Sequence, residues 1–144
     1  MNSTKYNQEF VKKLIRDKEG NHLDFKQKIT PKEKIAKTLS AFANTEGGMI
    51  LIGVSDKKRI IGIDLEEEKY MIESANEQFC SPLASLSFHP IKWSQVIDQE
   101  DERNEEINLL LVEVFPTENR RIFYKSKSGE TKVYHRVGDR TLAI

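Results

Sequence analysis

One cysteine, Cys80, leaves no partner for an internal disulfide and no basis for a cysteine-built zinc site. No stretch approaches the ~20 apolar residues a membrane helix needs; the longest nearly apolar run is residues 49–54. The first ten residues, MNSTKYNQEF, lack the apolar core of a secretory signal, so the expectation is a chain that stays in the reducing cytoplasm. The string G-x-x-x-x-G-K-[ST] is missing, and with it the usual phosphate-cradling loop, so ATP is not an expected ligand. There is no G-x-S-x-G elbow, and His22, His89 and His135 show no H-x-x-x-H spacing. A serine-hydrolase triad and a histidine zinc site therefore find no support. Repeats, low-complexity tracts and linkers are absent too, so the 144 residues read as one domain.

What remains is a globular composition, 38% hydrophobic and 32% charged, with many solvated charges. Lysine and arginine balance aspartate and glutamate at 23 each, which by itself is unfavourable for a partner rich in phosphate. The charge is sorted along the chain, however. Residues 98–106, DQEDERNEE, hold six acids and one arginine, a net of −5. Residues 116–144 hold seven cations against three acids, a net of +4. A neutral total is thus compatible with a basic face, although both runs also read as plain solvated surface.

Periodicity predicts a first helix over 5–17, stopped by Gly20 and Asn21. HLDFKQKI (22–29) alternates Leu23, Phe25, Gln27 and Ile29 against Asp24, Lys26 and Lys28, as a strand with one apolar and one charged face does. Thr30, Pro31 and Glu33 read as the capped start of a second helix that ends near Asn44. The glycine pair Gly47 and Gly48 breaks it, and MILIGVS emerges as a buried strand with a short hairpin partner at 60–63. A third, acidic helix spans 65–79, and Cys80 at its end reads as a small buried side chain. Pro82 and Pro90 bracket a loop; strands follow at 91–97, 107–115, 121–125 and 132–137. The fold class is α+β: a mixed, mostly antiparallel sheet with about three helices packed on it. Residues 49–55 are expected at its centre, between 22–29 and 60–63.

The segment AFANTEGGMILIGVSD (41–56), with HLDFK (22–26) before it and IIGI (60–63) and YHRVGDRT (134–141) after it, resembles the Schlafen-type AlbA-like domain. The resemblance runs over residues 19–141. Asp24 stands where the family pattern has glutamate in "EFK", and Asp139 where serine is common. The resemblance implies nucleic-acid binding, and relatives include RNA endonucleases built from two such lobes, which implies a homodimer for a single lobe. Bacterial relatives are often described as ATP-binding, which the missing phosphate loop argues against here.

In the nuclease relatives three carboxylates act together, and their positions fall on Glu19, Asp24 and Asp56. Such oxygen ligands suit Mg²⁺ or Mn²⁺, which would activate water at a phosphodiester. Three solvated acids are the competing reading. Lys26 shares a strand face with Asp24, and Lys57, Lys58 and Arg59 cluster beside Asp56 as candidate phosphate contacts. Arg136, matched in the last motif, is read as a phosphate contact or as the partner of a buried acid. Trp93 and Tyr134 are candidates for base stacking or for the core. Three functions follow. The first is a nucleic-acid-binding module that engages RNA or DNA through backbone phosphates. The alternatives are a metal-dependent endoribonuclease using Glu19, Asp24 and Asp56, and a protein-interaction or oligomerisation domain whose acidic run meets a basic partner.

Overall fold

The two most apolar stretches of the chain lie side by side. In the computed structural model, which describes residues 5–98 and 103–144, strand β2 (Gly48–Ile52) pairs residue for residue with the end of β5 (Arg103–Val114). Its other neighbour is β1 (Leu23–Lys26), which runs parallel to it. Parallel neighbours require a crossover connection, and α2 (Lys32–Thr45) supplies it. The long strand β4 (Leu86–Asp98) pairs with the far side of β5, giving the order β1-β2-β5-β4. A second four-stranded sheet takes β3 (Cys80–Ser81), β6 (Phe123–Lys125), β7 (Thr131–Val137) and β8 (Arg140–Ala143) in that order. Helices α1 (Gln8–Arg16) and α3 (Leu65–Phe79) complete the described residues.

The class is mixed α+β with three helices and mostly antiparallel strands, as the periodicities predict. The strands form two sheets, however, not one. The physical reason lies in how the apolar residues alternate. Ile50, Ile52, Leu110 and Val112 point to one side of the first sheet and pack with α2, α3 and the aromatic residues Tyr124 and Tyr134 of the second sheet. Leu51, Leu109 and Leu111 point to the other side and join Leu23, Phe25 and Val11 of α1. Helix α2 is buried on both flanks because it sits between the two sheets.

The expected centre holds: Ile50, Leu51, Ile52 and Val54 are buried. The expected hairpin partner does not. Residues 60–63 form no strand and meet residues 53–55 through a single bridge, Val54 to Ile60, and turn hydrogen bonds. Strand β5 occupies that flank because it too is apolar on both faces, whereas 60–63 carries exposed Ile61 and a left-handed Gly62. Pro90 lies inside β4, not at a loop boundary. An edge strand tolerates proline because one side of its ladder is free. Helix α1 stops at Arg16, before Gly20 and Asn21. Pro31 itself is the N-cap of α2, with no side-chain cap bond, so Thr30 stands one residue too early to cap it. β3 and β8 were not anticipated from the pattern; each is only two to four residues long. Cys80 is buried as expected, and burial pushes its thiol up to about 12.

The turn from α2 into β2 is held by backbone. Gly47 N donates to the Phe42 carbonyl (2.7 Å) at φ +76°, a conformation that favours glycine. A β-carbon there would sit 2.6 Å from the Val114 carbonyl and 2.8 Å from Pro116 Cδ. Gly129 has a similar φ of +91° but open space around it. Both alanine variants incur the ~1–2 kcal/mol of a left-handed backbone. Gly47→Ala is expected to lose a further ~1–3 kcal/mol to the collision, measured as the difference between the two variants in urea denaturation.

Candidate functional site

Strand β1 brings a carboxylate under the second sheet. Because Leu23 and Phe25 turn toward α1, Asp24 turns the opposite way, toward α2 and β7, where it is 3% exposed. Arg136 meets it from β7. Its Nη2 donates to Asp24 Oδ1 (3.2 Å), Nε to the Gly20 carbonyl (2.9 Å) and Nη1 to Thr141 Oγ1 (3.1 Å). The guanidinium lies 4.8 Å from the centroid of the Phe42 ring, and Arg136 N donates to Thr45 Oγ1 (2.8 Å). Of the two roles open to Arg136 in the sequence, the geometry displays partner of a buried acid.

Lys26 Nζ lies 3.0 Å from Asp24 Oδ2, an ion pair off line for a directed hydrogen bond, which leaves that buried oxygen without a donor of its own. Glu19 lines the same cleft. The residue is exposed, but its carboxyl turns inward and accepts from Phe25 N (3.1 Å). Partial desolvation, then the hydrogen bond to Asp24, push it up to about 7 against the opposing effect of the Phe25 amide. Burial acts to raise Asp24 as well, but the hydrogen bond from Glu19 and the charges of Lys26 and Arg136 outweigh it and hold Asp24 below its ordinary value. Asp24 is therefore the more acidic member of the pair, and Glu19 the one that holds its proton more readily.

These groups line a cleft of about 350 Å³ between β1, α2 and the β7–β8 turn. Lys34, Lys37 and Thr38 form its α2 wall, and Asp139 and Thr141 its far side. A second hollow of about 270 Å³ shares Lys26 and Lys34 with the first and holds Asp56. The structure thus joins Glu19 to Asp24 and sets Asp56, which is exposed, in the neighbouring hollow. Among the described residues no three acidic, histidine or cysteine side chains gather as a cation site requires. The donor set argues the same way: Asp24 already faces two cations, Arg136 and Lys26. As arranged, Glu19, Asp24 and Asp56 do not fit Mg²⁺ or Mn²⁺.

The remaining candidates are dispersed. Lys57 and Arg59 are exposed, while Lys58, at φ +63°, donates from Nζ to the Asp17 carbonyl (2.7 Å) and lies over the Phe25 ring. Tyr134 is buried, and Trp93 is half-buried against the α1 cluster. His22 pairs with Glu46 and His89 with Glu113. The acidic run at 98–106 falls partly on 99–102, outside the described residues; Glu105 and Glu106 are exposed. Lys34 and Lys37 are the residues that sequence reasoning missed. Their signal was present: they stand three apart in α2, as neighbours on one helix face do. Lys37 lies 5.1 Å from the Tyr124 ring centroid and 5.6 Å from that of Tyr134. The Lys34 carbonyl accepts from Thr38 Oγ1, while its ammonium forms no ion pair or hydrogen bond among the described residues.

The family model described as Schlafen, AlbA_2 matches residues 19–144. Among solved structures, the chain is similar to the DIP2311 protein from Corynebacterium diphtheriae, at 20% identity and a TM-score of 0.48. The match covers 86% of this chain and 22% of that one, so the chain spans about a fifth of that protein's length.

Two outcomes are expected. Arg136→Ala strands a buried carboxylate and loses ~3–5 kcal/mol of stability in chemical denaturation. Glu19 keeps its proton in the folded chain up to about 7, while an unfolded glutamate releases it near 4.5, so stability falls as pH rises through that window. Glu19→Gln makes this slope shallower, and Glu68, raised by burial, keeps the remainder, seen by following Tm from about pH 5 to about pH 8 against the parent chain.

Proposed function

The chain belongs to the Schlafen, AlbA_2 family, and from that premise we propose that it is a nucleic-acid-binding module that holds backbone phosphates in the cleft between β1, α2 and β7. The observation that carries this is the division of labour among the four cations of the cleft. Arg136 and Lys26 face Asp24 and neutralise it. Among the described residues no carboxylate holds Lys34 or Lys37, and both project from adjacent turns of one helix into the same opening. Two unpaired cations on a rigid helix suit successive phosphate oxygens, and contacts of that kind position a nucleic acid without reading its sequence. Lys57 and Arg59, exposed beside the second hollow that opens off the cleft, extend the same cationic track.

The test is binding of labelled RNA and DNA as a function of salt. Lys34→Ala combined with Lys37→Ala is expected to weaken binding and to reduce the slope of log affinity against log salt by about 2 for duplex. Lys57→Ala combined with Arg59→Ala gives a smaller reduction if those residues lie at the end of the track. An unaltered slope in the Lys34 and Lys37 variant would remove the cleft from the interface. The same preparations test the two other readings. Cleavage that needs Mg²⁺ or Mn²⁺ and disappears in Asp24→Ala and Asp56→Ala would make the module an endoribonuclease. The mass of the complex in sedimentation reports the homodimer that the two-lobed relatives imply.

A further inference from the structure

The second sheet has one face that no described element covers. Tyr124, Tyr134 and Arg136 are buried and face α2, and strand alternation sends their neighbours the other way. Across the sheet the register aligns Ser81, Phe123 and Val133, and Ile144 N donates to the Val133 carbonyl, so this row crosses all four strands. His135 stands opposite Leu142, and Val137 opposite Arg140, on the same side. Phe123 is 40%, Val137 57% and Ile144 72% exposed, and none of these residues belongs to either core cluster. No acidic side chain occupies a strand position on this face among the described residues, whereas Lys125 and Arg140 do.

We propose that this outer face binds single-stranded nucleic acid, with a base stacked on Phe123 and phosphates held by Lys125 and Arg140; the inference rests on the function proposed above. An exposed aromatic ring on a flat sheet with cations at its margin is what an unpaired strand requires, because every base has an apolar face and every linkage a negative charge. A duplex hides those base faces and gains nothing from Phe123. A second copy of the chain is the poorer occupant. Face-to-face pairing would bring Lys125 and Arg140 against a surface with no carboxylate on its strands to meet them. The face therefore separates the two strand states of the ligand, while the cleft, which contacts phosphates, serves both.

The experiment measures fluorescence anisotropy of the full chain with a labelled oligothymidylate of about 12 nucleotides, within the ~4–16 nucleotides that comparable single-strand folds cover. A duplex of the same length is the comparison. Phe123→Ala is expected to weaken single-strand binding about tenfold and duplex binding less than about twofold, and Phe123→Tyr to keep the single-strand affinity. Arg140→Ala should lower the single-strand salt slope by about 0.7. Equal loss on both ligands, or no loss in Phe123→Ala, overturns the proposal. So does sedimentation showing a dimer of the parent chain that Phe123→Ala dissolves, since the face would then join copies. If the Lys34 and Lys37 variant loses binding while Phe123→Ala does not, this proposal alone falls. If the parent chain binds neither ligand, the function proposed above falls with it.

Discussion

The Asp24–Arg136 pair is the contact on which the arrangement of the two sheets depends. Both side chains are withdrawn from water, 4% and 3% exposed, and withdrawing a charge costs several kcal/mol unless it is matched. Here the matching is extensive. The guanidinium uses all three of its nitrogens, on partners from β1, from β8 and from the loop before β1, and its face lies on Phe42 of α2. One side chain thus joins the edge of the first sheet, the central helix and the second sheet. Breaking it would leave a buried carboxylate on one side and strip a tether from the β7–β8 hairpin on the other.

The same pair decides which cations are free to act. A cleft with four cations and three carboxyl groups would be close to neutral if all were ionised and paired at random. Geometry makes the pairing selective: Lys26 and Arg136 are drawn to Asp24, and Glu19 is turned to the Phe25 amide. Among the described residues Lys34 and Lys37 stay unmatched by any acid because α2 holds them on the opposite wall. The zero net charge of the chain therefore conceals a local excess.

Much of the motif-like string at residues 41–56 is architecture. Asn44 donates from its side-chain amide to the Ile122 and Tyr134 carbonyls and accepts from Ile122 N (2.8 Å), filling the backbone needs of the second sheet from the end of α2. Thr45 donates to the Ala41 carbonyl and accepts from Arg136 N. Gly47 allows the close pass against β5 and Pro116. Residues that look like a ligand loop in one dimension are a joint between layers in three.

How far the sequence reached follows from which interactions are local. Alternation and helical spacing are properties of neighbouring residues, so α2, α3, β1, β2, β5 and the β6–β7 hairpin were legible, as were the burial of Cys80 and the family. The polar face of β1 was legible too, but not that it would be buried, because the cation that covers Asp24 lies 112 positions away. Strand pairing is likewise non-local. The choice of β5 over residues 60–63 beside β2 depended on two doubly apolar strands finding each other, and the split into two sheets depended on α2 needing cover on both flanks. The separation of Asp56 from Glu19 and Asp24, the freedom of Lys34 and Lys37, and the bare outer face around Phe123 were decided by tertiary structure alone. Each depends on distances between segments that no local pattern encodes.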